Sequence, residues 1–395
     1  MLPPNAQELD RLLLAMLDSA AGISDLLFVP GQPPQVETYG VLQSLPLSPL
    51  TSAQVEMFAR LIIKENPKLL TDLTAQGSCD CSYGLPAAGR FRVNIYRQNG
   101  NFAMVMRRIP LQIPTLQTLG LPTVFREVIQ EKNGLVFVTG GAGNGKTTTL
   151  TALLNEINQE SRIHIVTLED PIEFLHPHQQ STFSQRELGR DFFNFPDGFR
   201  AALRQAPKVI FVGEIRDRET LEIALTAGET GHLVLSTLHT TSADQTIHRI
   251  LGMFRKDEEP LVRERLASSL RYVIGQRLVP QKSGGRLLIT EFMGSSLRTR
   301  EAIEQGENDS RRLHDIIEAG GASGWHSFEQ SLLKAFETNL ISEETALSYS
   351  VNKPKMRQRL DLARNFSQRP GKSGPGTGQM IVVAAATPGK PSSAT

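Results

Sequence analysis

The stretch that decides the fold is Leu135-Val-Phe-Val-Thr-Gly140-Gly-Ala-Gly-Asn-Gly145-Lys-Thr-Thr-Thr-Leu-Thr151. The apolar run Leu135 to Val138 reads as a buried strand, and the residues after Gly145 carry helical spacing. Between them, Gly140 to Thr147 matches G-x-x-x-x-G-K-[ST] without a gap. The spelling follows from phosphate chemistry. At Gly143 and Gly145 backbone N–H groups close on phosphate oxygens where a Cβ would collide. A helix opening at Lys146 aims the positive end of its dipole at the same anion. Lys146 then reaches the β- and γ-phosphates, and the Thr147 hydroxyl binds Mg²⁺. The candidate nucleotide-binding set is Gly140, Gly141, Ala142, Gly143, Asn144, Gly145, Lys146, Thr147 and Thr148, with ATP and Mg²⁺ as the expected ligands.

Composition bounds the rest. A chain of 395 residues has room for two domains and a tail. The net charge of +1 does not point to nucleic acid as a partner. Cys79 and Cys81, the two cysteines, have one residue between them and form neither a disulfide framework nor a four-cysteine metal site. No secretory signal and no run of about 18 apolar residues is present, so the expectation is a soluble, cytoplasmic protein.

Upstream of the deciding stretch, Leu9, Leu12, Leu13, Met16 and Leu17 predict an amphipathic helix. Residues 25–29 and 35–39 predict strands around a Pro/Gly turn. Ser48-Pro49 predicts the start of a second helix. Residues 78–84, 90–97 and 101–108 alternate like paired strands and carry Arg90, Arg92, Arg97, Arg107 and Arg108. These elements make a small α+β domain over 1–110, followed by a proline-marked linker over 111–122. Downstream, three further apolar runs each end in polar residues: 163–168 at Glu169-Asp170-Pro171, 209–212 at Gly213-Glu214, and 233–237 near His239. With 135–138 they make four βα units, hence a parallel-rich sheet with helices on both faces. Ligands bind outside the carboxyl ends of such strands, where Lys146, Glu169, Glu214 and His239 all fall. Ser242-x-x-Gln245 reads as a capping box, 258–279 as one long amphipathic helix, and 286–290 as a strand. Residues 311–318, 325–338 and 342–363 read as helices. The second domain thus spans 123–366, and the Gly/Pro/Ser/Thr-rich 367–395 is expected to be a disordered tail.

Phosphoryl transfer needs a metal, an oriented water and cations on the developing charge. Glu214 is the acid at its strand end and is assigned to the Mg²⁺ shell (with Thr147), to the attacking water, or to both. Glu169 is the second acid and a candidate general base. Asp217 reads as the cap of the helix that follows it. His232 and His239 bracket the last strand, and γ-phosphate sensing suits them better than metal binding.

Gly140 to Thr147, Thr167-Leu-Glu-Asp-Pro-Ile-Glu173, Val212-Gly-Glu-Ile-Arg-Asp217 and Gly231-His-Leu-Val-Leu-Ser-Thr-Leu-His-Thr240 resemble the Walker A, Asp box, Walker B and His box of the secretion ATPases. Phe91-Arg-Val-Asn94 and Arg107 extend the likeness into the small domain. The branch it resembles is that of the type IV pilus retraction (twitching motility) ATPases, PilT and PilU. The resemblance implies a RecA-like P-loop domain preceded by a smaller α+β PAS-like domain, in a homohexamer at the inner-membrane base of a pilus machine. It implies an inner-membrane platform protein as partner, pilin engaged indirectly, and Arg92 and Arg107 as arginines that reach the phosphates. Arg90, Arg97 and Arg108 are given no such role. Two segments depart from the branch's pattern: Ser296-Leu-Arg298-Thr-Arg-Glu-Ala-Ile303 and Ala206-Pro-Lys208. An accessory PilU-like motor, a secretion or pilus-assembly ATPase, and a non-hydrolysing nucleotide-binding scaffold ring therefore stay open.

Overall fold

The structure is a computed structural model that describes residues 4–38, 40–64, 66–85, 89–109 and 112–367. Residues 368–395, nearly all of the segment expected to be a disordered tail, lie outside the described residues, as does the start of the expected linker.

The chain begins with α1 (Pro4–Asp18), β1 (Ile23–Phe28), β2 (Gln35–Thr38), β3 (Val41–Ser44), α2 (Ser52–Ile63), α3 (Pro67–Ala75), β4 (Ser78–Leu85), β5 (Gly89–Gln98) and β6 (Asn101–Ile109). The six strands form an antiparallel sheet in the order β3-β2-β1-β6-β5-β4. Leu9, Leu13 and Met16 of α1 and Phe58 of α2 bury against its apolar face, and the Phe28 and Phe58 rings meet edge-on at 6.4 Å. In α2 the start differs from expectation. Thr51, not Ser48-Pro49, caps the helix in a reciprocal capping box with Gln54, because that pair satisfies two backbone N–H groups at once.

The second unit contains α4 (Phe125–Gln130), β7 (Gly134–Thr139), α5 (Lys146–Glu160), β8 (His164–Glu169), β9 (Thr182–Glu187), α6 (Phe195–Leu203), β10 (Val209–Val212), α7 (Arg218–Glu229), β11 (Leu233–Leu238), α8 (Ala243–Leu251), α9 (Glu259–Ser269), β12 (Leu270–Pro280) and β13 (Arg286–Gly294). Its seven-stranded sheet runs β13-β12-β7-β11-β10-β8-β9, parallel throughout except for the edge strand β13. Every residue of β7, β10 and β11 is buried, as helices on both faces require. The fold is α/β and RecA-like.

Three expectations are corrected here. The helix expected over 258–279 ends at Ser269, and the chain continues as β12 between β7 and β13. Tyr272, Val273 and Ile274 are strand formers, and a strand buried on both faces has no alternation to distinguish it from a helix. Ser242 does precede α8, but its side chain makes no cap; the Glu291 carboxylate accepts from Ala243 N at 2.7 Å instead. The helix expected over 342–363 is two, α13 (Glu343–Tyr349) and α14 (Lys353–Ser367). They are parted where the buried Glu329 carboxylate takes Val351 N at 2.9 Å. Before them come α10 (Leu297–Gln305), α11 (Leu313–Ala319) and α12 (Phe328–Glu337).

Candidate active site

The loop from β7 to α5 takes the shape its glycines allow. Gly143 and Gly145 have φ of 74° and 78°, in the left-handed region. A Cβ on Gly140 would lie 2.5 Å from Gln276 O, so β12 fits only against a glycine there. No side chain caps the amino end of α5. Its first N–H groups and dipole are therefore free to hold an anion. Lys146 is buried, and its Nζ donates to Gly140 O at 2.9 Å and Gly141 O at 3.1 Å, folding the ammonium over the loop. Burial pushes its pKa down, against the pull of Glu214 and Glu173. The loop opens on a cavity of about 310 Å³ lined by Gly143, Asn144, Gly145, Lys146, Thr147, Thr148, Glu173, Leu278 and Arg286. Gly141 and Ala142 form the exposed tip of the loop. Free N–H groups, a buried ammonium and a threonine hydroxyl suit a polyphosphate with its divalent cation.

The acids sit on neighbouring strand ends. Glu214 follows β10, where Ser236 Oγ donates to Val212 O and Thr237 Oγ1 to Gly213 O, both at 2.7 Å. Those bonds fix the turn that presents the carboxylate. Glu214 is paired with Arg216 at 2.8 Å and with His239 Nε2 at 3.3 Å, so the structure brings one predicted acid and one predicted histidine together. Glu169 ends β8 and is buried; it accepts from Thr167 Oγ1 at 2.6 Å, from Gln185 Nε2 at 3.1 Å and from the Glu173 backbone. Burial raises its pKa to about 7 in spite of those donors. A carboxyl with that value exchanges a proton near neutrality, as a general base must. Asp217 caps α7 as expected, accepting from Thr220 N at 2.8 Å.

His232 is not brought into this cluster. It precedes β11, and its backbone carbonyl accepts from Gly134 N at the start of β7. That is the amino edge of the sheet, one strand length of about 20 Å from the P-loop. Its ring lies against Ala227 O, at the end of α7. Arg92 and Arg107 face each other across β5 and β6, and neither lines the cavity in this conformation. Arg107 Nε donates to Asp25 at 2.9 Å. Arg92 is exposed and lies close enough to Asp170 to draw its pKa down against the burial that raises it.

Sequence reasoning missed four residues around the cavity. Glu173 was in plain view as the last letter of the Asp box. Gln276 and Leu278 were hidden by the supposed helix, and Arg286 was read only as the first residue of a strand: Gln276 Nε2 donates to Thr149 Oγ1 at 2.7 Å, and Leu278 N to Asn144 Oδ1 at 3.2 Å. Cys79 and Cys81 are free thiols, and burial raises the pKa of both, Cys79 to about 11.

A glycine-rich loop between a buried parallel strand and an uncapped helix, with acids on the adjacent strand ends, defines a P-loop nucleoside triphosphatase. The family model described as "Type II/IV secretion system protein" matches residues 88–321, and the chain belongs to that family and is an ATP hydrolase. It is 39% identical to the type IV pilus retraction ATPase PilT of Pseudomonas aeruginosa over 84% of this chain and 96% of that protein. It is 34% identical to the type IV pilus ATPase PilU of the same organism, over 87% of this chain and 88% of that protein. The crystal structure of the pilus retraction motor PilT with bound ADP superimposes with a TM-score of 0.80 at 36% identity, covering 88% of this chain and 98% of that one. No helix among the described residues is long and apolar enough to cross a membrane.

Proposed function

We propose that the chain is the ATPase motor of type IV pilus retraction. The observation that carries this reading is the likeness to PilT, which runs over 96% of that protein's length. In the working state six copies form a ring at the cytoplasmic face of the inner membrane, against a platform protein, and draw pilin out of the fibre indirectly. Thr147 and Glu214 would hold Mg²⁺, which would neutralise phosphate charge. Lys146 and the N–H groups of the loop hold the β- and γ-phosphates. Glu169 takes the proton of the attacking water, while His239 keeps Glu214 aimed at the γ-phosphate. Arg92 and Arg107 reach the phosphates after the small unit moves, since Arg107 is held by Asp25 in this conformation.

Deleting the gene and counting surface pili tests the reading. Retraction predicts that pili accumulate and twitching stops, and that the wild-type gene restores both whereas Lys146→Ala does not. Loss of pili would point instead to an assembly motor. The likeness to PilU supports a second reading, an accessory motor beside a principal one. In that case the deletion strain retracts normally until load is applied.

A further inference from the structure

Glu187, the last residue of β9, stands beside Glu169 in the β8–β9 register. Its side chain is almost fully buried and belongs to neither the nucleotide cavity nor the predicted acids. Four groups converge on it. Ser82 Oγ donates to Oε1 at 2.6 Å, and the Arg90 guanidinium pairs with Oε2; both come from the small antiparallel sheet. Arg90 also donates to Ser82 Oγ at 2.5 Å, which closes a triangle. From the second unit, Ile172 N donates to Oε2 at 3.2 Å, and Asp191 Oδ2 accepts from Glu187 N at 2.8 Å. A further bond between the units, Asn66 Nδ2 to Gly189 O at 2.6 Å, holds the same corner.

The position of Ile172 gives this pair a consequence. Ile172 lies between Glu169, whose carboxylate takes the Glu173 N–H, and Glu173, which lines the cavity. One carboxylate therefore grips the small sheet on one side and the backbone of the acid-bearing loop on the other. A buried ion pair between two units contributes little net stability relative to apolar packing, but it fixes their geometry, because removing either partner strands a charge. We propose that Glu187 is a positioning residue for hydrolysis: through Arg90 and Ser82 it ties the placement of the small unit to the loop that sets Glu169 and Glu173. This rests on the ATPase reading of the site. It gives the nucleotide cavity a mechanical connection to the small unit that does not pass through the arginines expected at the phosphates.

The test uses the full chain with Arg90→Gln, Glu187→Gln and the double variant, in which no lone charge is buried. Each should lower kcat by roughly 10- to 100-fold while KM for ATP stays within about two-fold, as displacement of a reacting group does. The double variant should be no worse than either single one, since all three cut the same link. Glu187→Asp should recover part of the rate. Hydrogen exchange of residues 170–174, measured without nucleotide, should rise in Arg90→Gln although that residue lies in the other unit. Wild-type kcat and unchanged exchange at 170–174 in Arg90→Gln, with only a lower melting temperature, would overturn the link. If the wild-type chain itself failed to turn over ATP, the exchange measurement would still decide the link independently of the enzymatic reading.

Discussion

Replacing Glu169 by glutamine separates its chemical role from its structural one. The folded carboxyl has its pKa raised from 4.5 to about 7, chiefly by burial, so at neutral pH the fold bears part of the cost of a buried charge. The sign follows from proton linkage. Between these two values the folded state binds more protons than the unfolded state, so stability falls as pH rises through the window, and the loss is complete above about 7. At 1.36 kcal/mol per unit, the loss amounts to roughly 3 kcal/mol. Glutamine resembles the protonated carboxyl, and its amide oxygen can accept from Thr167 Oγ1 and Gln185 Nε2 as Glu169 Oε1 does. The variant should therefore melt with the wild type in mild acid and well above it near pH 8, by several degrees for a domain of this size. Its turnover should fall by about 10² to 10⁴, the usual worth of a positioned base. The wild-type kcat profile should carry an acid limb near 7 that the variant lacks. Melting curves and steady-state ATPase rates at a series of pH values check both halves. A variant with wild-type rates and the same acid limb would refute the role of Glu169 as base. Equal melting temperatures at all pH values would refute the cost of its burial.

Two further substitutions probe the same machinery. Glu214→Gln keeps the shape and removes the charge held by Arg216 and His239; nucleotide should still bind while hydrolysis falls by about 10²-fold or more, measured by fluorescent-nucleotide titration beside turnover. Arg107→Ala should cut turnover by roughly 10³ to 10⁵ with near-normal nucleotide affinity. Mixed with Glu214→Gln subunits it should regain activity if the arginine serves a neighbouring subunit, whereas a mixture no more active than its parents would refute a shared site.

How much of this was legible in the sequence depended on whether the chemistry was contiguous. The P-loop is spelled out in consecutive residues, since its glycines, lysine and threonine all serve one anion. The acids at the ends of β8 and β10 could be placed because apolar runs stop abruptly there. Strand β12 was not legible: its buried run follows α9 directly, with no turn residue between, and so Leu278, which lines the cavity, and Gln276, which packs behind the loop, went unseen. Nor could His232 be placed, because bracketing a strand in sequence puts two residues at opposite edges of a sheet. The grip of Glu187 on Arg90 joins residues 97 positions apart, and nothing in either neighbourhood marks the other. The capping of α8 by Glu291 rather than by the Ser242 side chain is likewise a contact across the fold.

The most direct test of the central claim is ATP turnover by the purified full-length chain and its Lys146→Ala variant, with phosphate release measured in the presence of Mg²⁺. The account predicts steady hydrolysis by the wild type and none above background by the variant. The variant should also bind nucleotide more weakly, since the phosphates lose their nearest cation while the loop keeps its glycines. Turnover by Lys146→Ala equal to that of the wild type would contradict the account, because the loop between β7 and α5 would then not be where ATP is cleaved.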